Sequence, residues 1–371
     1  MTASPPARIQ AIDRLRGLVM VLMTIDHAGS LYDAHHLHGD SARGWLPGSP
    51  LPPGEFLTRW VTHLCAPVFV LLAGTSLALS SDRRRGQPGQ TAFLVRRGLF
   101  IAALDPLWMS LGFASYRLFV LQVLYALGVS MVLMAGLRRL PTRALAALGL
   151  ATALLGELST RIDPRGQPWR ALWCLLWTGG RPFGRVVSPY PVLPWLSILI
   201  GGWGLGRWLL ADRARPPAAR VRPLLGVGLG LLALFALVRG LDGYGNWGLH
   251  RDSGALLQWL HVAKYPPSVS FMALELGLGF VLLALFFRLD DGRERPLLAP
   301  LGVLGATAFF YYLLHVHLLD LAGRVLRLDP AVHGLAKTYA GAAAVLVALY
   351  PLCAIYRRYK AAHPDGWTRY V

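Results

Sequence analysis

Residues 8–28 read RIQAIDRLRGLVMVLMTIDHA, and this stretch decides the fold. The apolar run that starts at Leu15 is of the kind that crosses about 30 Å of hydrocarbon, yet it contains Asp26 and His27 well inside. Polar groups without partners are costly at that depth, so intramembrane ionisable residues mark functional sites by default. We therefore interpret 15–34 as a transmembrane helix, retained in the mature protein, that carries a functional pair.

Composition extends this interpretation to the whole chain. The 371 residues are 54% hydrophobic and only 15% charged, and apolar stretches of bilayer length recur from end to end. The sequence predicts one integral membrane domain over 1–371, an all-α polytopic transmembrane helix bundle. The segment WRALWCLLWTGG would be an eleventh span, or else a re-entrant or interfacial helix. Ten spans are predicted at 15–34, 57–80, 92–112, 117–137, 143–159, 190–211, 222–240, 268–288, 298–323 and 335–356.

The formal net charge of +18 is distributed as membrane topology requires. Arginines cluster on alternate connections, so the positive-inside rule predicts that both termini are cytoplasmic. One connection disagrees, because 160–189 is predicted to be external and carries Arg161, Arg165, Arg170, Arg181 and Arg185. The predicted cytoplasmic clusters are Arg8, Arg14 and Arg16; Arg83, Arg84 and Arg85; Arg138, Arg139 and Arg143; Arg213, Arg215 and Arg220; Arg293 and Arg295; and Arg357 and Arg358.

Several function classes lack support in the sequence. The basic residues lie at span ends and form no stripe interleaved with aromatic residues, so nucleic acid is not an expected partner. Cys65, Cys174 and Cys353 have neither paired nor metal-type spacing, which favours packing roles. The chain has no P-loop, no Rossmann fingerprint and no G-x-S-x-G elbow. Nucleotide hydrolysis, dinucleotide redox chemistry and serine hydrolysis are therefore not predicted.

Six predicted spans offer polar side chains to one layer in the outer half of the membrane. This follows from a rise of about 1.5 Å per helical residue. Taken singly, His63, His315 or His317 could be a structural hydrogen bond between helices, Asp105 could cap a kink before Pro106, and Glu275 could pair with Lys264 or an arginine. Together they favour a functional site. The layer comprises His27, His63, Asp105, Gln122, Glu275, His315 and His317, with Lys264 at its external edge.

Two further groups lie outside this layer. His35, His36 and His38 form an HHLH tract that resembles a metal-binding sequence, but it has no spaced fourth ligand, and we predict no metal. Arg16 and Arg96 lie at cytoplasmic helix ends, where guanidinium groups could hold the phosphates of a nucleotide-bearing donor. The alternative for both is ordinary positive-inside charge.

At this point the sequence resembles a known family. The stretch quoted above, together with FLTRWVTHLCAPVFVLLAGTSLALS, RLFVLQVLYALGVS, YPVLPWLSILIGGWGLG, KYPPS and FFYYLLHVHLL, is similar to bacterial membrane proteins that carry the heparan-alpha-glucosaminide N-acetyltransferase catalytic domain. The spacing from Arg16 to His27 also resembles the arginine–histidine motif of bacterial O-acyltransferases that modify surface polysaccharides. The resemblance implies an essential His27, acyl-CoA as donor and a multi-pass protein of the cytoplasmic membrane.

The chain departs from the lysosomal members of that family. Their catalytic histidine lies in a His-Ala-Ser-Trp-Asn-Gly-like loop after the first span. Here His35, His36, His38 and Trp45 occupy that region without the spacing. Heparan-type specificity is therefore not expected, and His27 is the preferred catalytic histidine.

The resulting hypothesis is an acyltransferase that moves an acyl group, expected to be acetyl, from cytoplasmic acyl-CoA to a hydroxyl or amine of an extracytoplasmic glycan or lipid-linked sugar. His27, oriented by Asp26, would act as general base or carry the acyl group itself. His63, His315 or Lys264 would stabilise the oxyanion, Arg16 and Arg96 would bind the donor, and Lys264, Asp105, Glu275 and Gln122 would bind the acceptor. The alternative is a transporter or channel with a buried Asp/His site, although no internal duplication is visible.

Overall fold

The computed structural model describes residues 9–33, 36, 39–162, 164–290, 293, 295–328, 334–363, 366 and 368. These residues fold almost entirely into helices, joined by one two-stranded parallel sheet in which β1 (Phe119–Val120) pairs with β2 (Val186–Val187). The helices are α1 (Gln10–Tyr32), α2 (Pro53–His63), α3 (Cys65–Arg83), α4 (Gln90–Leu104), α5 (Ser110–Ala114), α6 (Val123–Leu137), α7 (Thr142–Leu155), α8 (Arg170–Trp173), α9 (Val192–Ala211), α10 (Val221–Leu241), α11 (Leu256–Leu260), α12 (Val269–Arg288), α13 (Ala299–Ala306), α14 (Ala308–Val325) and α15 (Leu335–Ala362).

Length and hydropathy identify four membrane-spanning candidates among the described residues: Pro53–Arg83, Pro217–Leu241, Val269–Arg288 and Leu335–Ala362. Helices α13 and α14 make a fifth if they are one broken span, because they meet at an angle of 86°. A helix also occupies each of the other predicted segments, but ten spans and their orientation remain a prediction. The segment Arg170–Thr178 is only nine residues long, about 13 Å of helix, which is too short for an eleventh span.

Prolines explain two of the breaks between helices. Pro67 has no N–H to donate to the carbonyl of His63, and α2 ends at that residue. Pro106 likewise follows Asp105 where α4 gives way to a π-helical turn at Asp105–Met109. The break between α13 and α14 at Thr307 has no proline, and hydropathy alone predicted one continuous span there. These breaks place polar side chains at helix ends inside the bundle.

Helix α1 is the centre of the bundle and packs against α3, α13, α14 and α15. Its contact with α13 is backbone to backbone, because a Cβ on Gly17 would lie 2.0 Å from the carbonyl oxygen of Leu301. A Cβ on Gly305 would lie 1.8 Å from the carbonyl oxygen of Asp13. Small residues therefore allow α13 to fix the position of α1 and of the polar residues on it.

Two segments, the loop 39–52 and the stretch 242–268 that includes α11, form a cap over one end of α1 and α2. Asp252 joins them by accepting hydrogen bonds from Trp45 Nε1 at 3.0 Å and from the Gly48 N–H at 2.9 Å. Arg239 is fully buried beneath the cap and donates to the carbonyls of Leu249 and Gln258, both at 2.7 Å. The cap thus has its own polar framework and is not a loose connection.

Candidate active site

A cavity of about 520 Å³ lies beside α1 at the cap end of the bundle. Helix α1 contributes residues at helical spacing, from Val19 through Met23 and His27 to Leu31, so one face of the helix lines the cavity along about 18 Å. Its wall is apolar toward Val19 and polar around His27. The other polar residues in the wall are Asp26, Ser30, His36, Arg59, Gln122, Tyr190, Tyr265 and Tyr312.

His27 is held by a histidine from the adjacent helix α14. Its Nδ1 lies 2.7 Å from Nε2 of His315 on α14, and Nδ1 of His315 lies 2.7 Å from the carbonyl oxygen of Tyr312. A carbonyl can only accept, so the proton of neutral His315 is on Nδ1 and its Nε2 must accept from His27. This leaves the lone pair of neutral His27 on Nε2, in a ring that lines the cavity.

Asp26 belongs to a buried ion network that connects α1 to the cap. Arg59 Nη1 donates to Asp26 Oδ1, which also accepts from Thr62 Oγ1 at 2.7 Å. The same guanidinium binds Asp40 Oδ2 through Nε at 2.8 Å and through Nη2 at 2.5 Å. His63 Nε2 lies 3.3 Å from that Asp40 oxygen. One arginine therefore holds α1 and the cap together beside His27.

Asp40 lies in the cap, outside the membrane-spanning segments. Burial by itself raises the pKa of its carboxyl group, but the Arg59 guanidinium and His63 outweigh that effect and hold the pKa of Asp40 well below its usual range. Asp40 is therefore ionised and balances the buried charge of Arg59. Because Asp26 contacts the same guanidinium, the cationic centre is shared between two carboxylates.

Arg59 is not among the site residues predicted from the sequence, where it occurs only within the stretch FLTRWVTHLCAPVFVLLAGTSLALS that carries the family resemblance. It precedes His63 by four residues, and that i, i+4 spacing places both on one face of α2. That spacing was the feature of the sequence that could have indicated a role for Arg59 beside His63. The partner Asp40 could not be identified, because no local pattern shows that the loop folds back onto α2.

The acceptor-binding residues predicted from the sequence are not all brought to the cavity. Gln122 lines it, and Lys264 is buried just behind its wall, next to Tyr265. Glu275 is fully buried on α12, and neither of its carboxylate oxygens has a hydrogen-bond partner among the described residues.

Asp105 makes a structural contact. Its Oδ2 accepts from the backbone N–H groups of Gln122 and Tyr125, each at 2.7 Å, at the start of α6. These are N–H groups that a helix cannot satisfy from within. Asp105 thus acts as an N-terminal cap supplied from another element, and it is not among the residues lining the cavity.

The two predicted donor-binding arginines lie away from the cavity. Arg16 is eleven residues before His27, about 16 Å along α1, and donates to Ser76 Oγ at 2.7 Å, Asp13 Oδ1 at 3.1 Å and the Gly305 carbonyl at 3.3 Å. It therefore joins α1 to α3 and α13. Arg96 is exposed, and among the described residues it donates only to the carbonyl of Ala92 on its own helix, at 3.3 Å.

No group of three or more His, Cys, Asp or Glu side chains suited to a metal ion occurs within the described ranges. His35 and His38 of the HHLH tract lie outside those ranges, as does Arg8 of the first basic cluster.

Comparison with known proteins identifies the family. The family model for heparan-alpha-glucosaminide N-acetyltransferase, catalytic, matches residues 8–237, which is more than half of the chain. The match includes Asp26, His27, Arg59 and His63 and ends before the segments that contain Lys264 and His315. No curated protein matches the chain. An all-helical protein with membrane-spanning helices and this catalytic match belongs to the heparan-alpha-glucosaminide N-acetyltransferase catalytic family of membrane acyltransferases.

Proposed function

We propose that this protein transfers an acetyl group from cytoplasmic acetyl-CoA to a hydroxyl or amine of a sugar on the outer side of the cytoplasmic membrane, with His27 as general base. The observation that carries the proposal is the hydrogen-bond chain from the Tyr312 carbonyl through His315 to His27. It supports a neutral His27 that presents one basic nitrogen to a cavity large enough for a small acceptor group.

In the proposed reaction, Nε2 of His27 takes the proton from the acceptor hydroxyl or amine as the oxygen or nitrogen attacks the thioester carbonyl. The C–S bond then breaks, and the thiolate of CoA receives the proton from His27. His315 stabilises the imidazolium by accepting from Nδ1 throughout. In this direct transfer the acyl group is never bound to His27. His27 donates to His315, and His315 donates to the Tyr312 carbonyl, throughout the reaction.

Stabilisation of the oxyanion is assigned to Tyr265 and Arg59. Both nitrogens of His315 are already engaged, and His63 and Lys264 are not part of the cavity wall. Tyr265 and Arg59 do line the cavity, and Arg59 Nη2 donates to the Tyr265 hydroxyl at 3.5 Å. The tyrosine O–H then remains available to donate to the developing negative charge.

The experiment is donor turnover by the purified protein in detergent. Labelled acetyl-CoA is incubated with wild type, His27→Ala and the matched control His317→Ala, which removes a histidine two residues from His315 that contacts Trp108 and is not in the cavity wall. We expect hydrolysis or transfer by wild type and His317→Ala only. If wild type leaves acetyl-CoA intact, the enzyme assignment fails and the transporter hypothesis is favoured.

A further inference from the structure

Four arginines at the cavity end of the molecule have no role in the proposed reaction. Arg43, Arg117, Arg181 and Arg185 are all exposed, and within the described part of the chain none of them forms an ion pair with a carboxylate. We name them the outer arginine patch. On the predicted topology this end is external, where the positive-inside rule gives no reason for arginine.

The patch is held in place by hydrogen bonds to backbone carbonyls. Arg185 Nε donates to the Arg117 carbonyl at 2.8 Å, and Arg43 Nη1 donates to the Thr178 carbonyl at 3.4 Å. Arg170 supports the turn by donating to the Arg181 carbonyl at 2.9 Å. These contacts bring side chains from three separate segments to one surface, and the guanidinium of Arg117 has no partner among the described residues.

This surface adjoins the cavity through the small sheet. Val120 of β1 and Val187 of β2 line the cavity, and Arg117 and Arg185 precede them by three and two residues. At about 3.3 Å per extended residue, the Cα atoms of Arg117 and Arg185 lie within about 10 Å of these two valines. A molecule bound to the patch could therefore place a nearby group in the cavity.

Aromatic side chains lie near the patch in the manner of a membrane interface. Phe183 is 57% exposed, and Tyr116 and Phe119 are also exposed. The rings of Trp169 and Trp173 are in contact, with centroids 5.5 Å apart, and the centroids of Trp173 and Trp177 are 6.1 Å apart. Tryptophan and tyrosine prefer the headgroup level of a bilayer. The patch is therefore expected at the depth of lipid phosphates.

We propose that the outer arginine patch binds the phosphate of a lipid that carries the acceptor sugar, so that the lipid tail stays in the membrane and the sugar enters the cavity beside His27. Guanidinium groups suit this ligand because they bind phosphate oxygens in bidentate fashion. This inference rests on the proposed function and names its acceptor class: a sugar linked through phosphate to a membrane lipid.

Lipid binding is tested by native mass spectrometry on the full-length protein in detergent. The probes are a polyprenyl phosphate, the matching polyprenol and phosphatidylglycerol. We expect the double variant Arg117→Gln/Arg181→Gln to bind the polyprenyl phosphate about tenfold or more weakly than wild type, the loss expected for one or more hydrogen bonds to a charged group. The control Arg83→Gln/Arg85→Gln removes the same charge from exposed positions in a predicted cytoplasmic cluster and should bind as wild type does.

Two outcomes would overturn the proposal. If phosphatidylglycerol binds as tightly as polyprenyl phosphate and displaces it, the arginines anchor the protein to bulk lipid. If the double variant binds like wild type, the patch holds no phosphate. A transfer assay adds a second arm, in which the double variant should raise KM for a lipid-phosphate-linked sugar and leave kcat unchanged. Binding is measured without turnover, so these results stay separate from a failure of the acyltransferase assignment.

Discussion

At the scale of single residues, the two hydrogen bonds of His315 decide what His27 can do. They predict that His27→Asn keeps the fold and loses the reaction, because an asparagine Nδ2–H can still donate to His315 Nε2 but offers no basic nitrogen. We expect acetyl transfer to fall by about two orders of magnitude or more. The melting temperature should stay near that of wild type, measured on the same detergent preparation.

His27→Ala is the companion variant. It leaves His315 Nε2 without a donor, so it should be about 1 kcal/mol less stable than His27→Asn while being equally inactive. An active but destabilised His27→Ala protein would contradict the catalytic role and leave His27 as a structural hydrogen bond between α1 and α14.

Asp40 gives a prediction that depends on pH. Because its folded pKa is depressed, Asp40 contributes stability that is fully present above its unfolded pKa of about 3.9, declines as the pH falls below that value and is lost below the folded pKa. Asp40→Asn should therefore cost roughly 3 kcal/mol at pH 7, since the asparagine oxygen can still accept from Arg59 but the buried guanidinium loses one of its two carboxylates. The gap in melting temperature between wild type and Asp40→Asn should narrow from pH 5 to pH 3. A constant gap would contradict the ion network.

At the scale of elements, variants of Asp105 and Gln122 can distinguish a helix-capping residue from an acceptor-binding residue. Asp105→Ala removes the acceptor for two N–H groups of α6, so we expect it to cost about 1 kcal/mol without changing KM for the acceptor in the folded fraction. Gln122→Ala, which changes the cavity wall, should raise that KM without lowering the melting temperature. Thermal denaturation and acceptor titration of both variants check this. A raised KM in Asp105→Ala would instead support the acceptor-binding prediction for that residue.

Variants of Arg16 and Arg96 give a second comparison at this scale. Lysine cannot reproduce the three contacts that Arg16 makes to α3, α13 and Asp13, so Arg16→Lys should lower the melting temperature, whereas Arg96→Lys should not. Titration with acetyl-CoA tests the other interpretation. Weaker binding by both variants would support phosphate contacts, and unchanged binding would assign Arg16 to helix packing alone.

The elements also show what local sequence could and could not reveal. Helices in the predicted segments follow from apolar runs, and the meeting of His27 with His315 agrees with counting helical rise along both segments. The bend at Thr307 and the start of α6 at Val123, six residues later than predicted, come from packing and turns that hydropathy does not register. Local sequence did not reveal the role of Arg59 for a similar reason. Its partner Asp40 lies in a loop, and no helical spacing relates the two residues.

At the scale of the whole molecule, the arginine clusters predict which end faces the cytoplasm. Single cysteines introduced at Arg84 and Arg213 should be shielded from an impermeant external reagent, and one at Leu46 in the cap, which is 74% exposed, should react. The three native cysteines are buried, so they add little background. The reversed labelling pattern would place His27 in the inner half of the membrane and overturn the proposed direction of transfer.

Cys65 gives the molecule an internal reporter of cavity occupancy. Cys65 is one of the residues that line the cavity, whereas Cys174 and Cys353 are buried elsewhere. Alkylation requires the thiolate, so at alkaline pH a small uncharged reagent that fits the cavity should modify Cys65 slowly but before the two cysteines outside the cavity, and a bound substrate would slow that modification further. Candidate donors and acceptors can then be ranked by the protection they give, before any product has been identified.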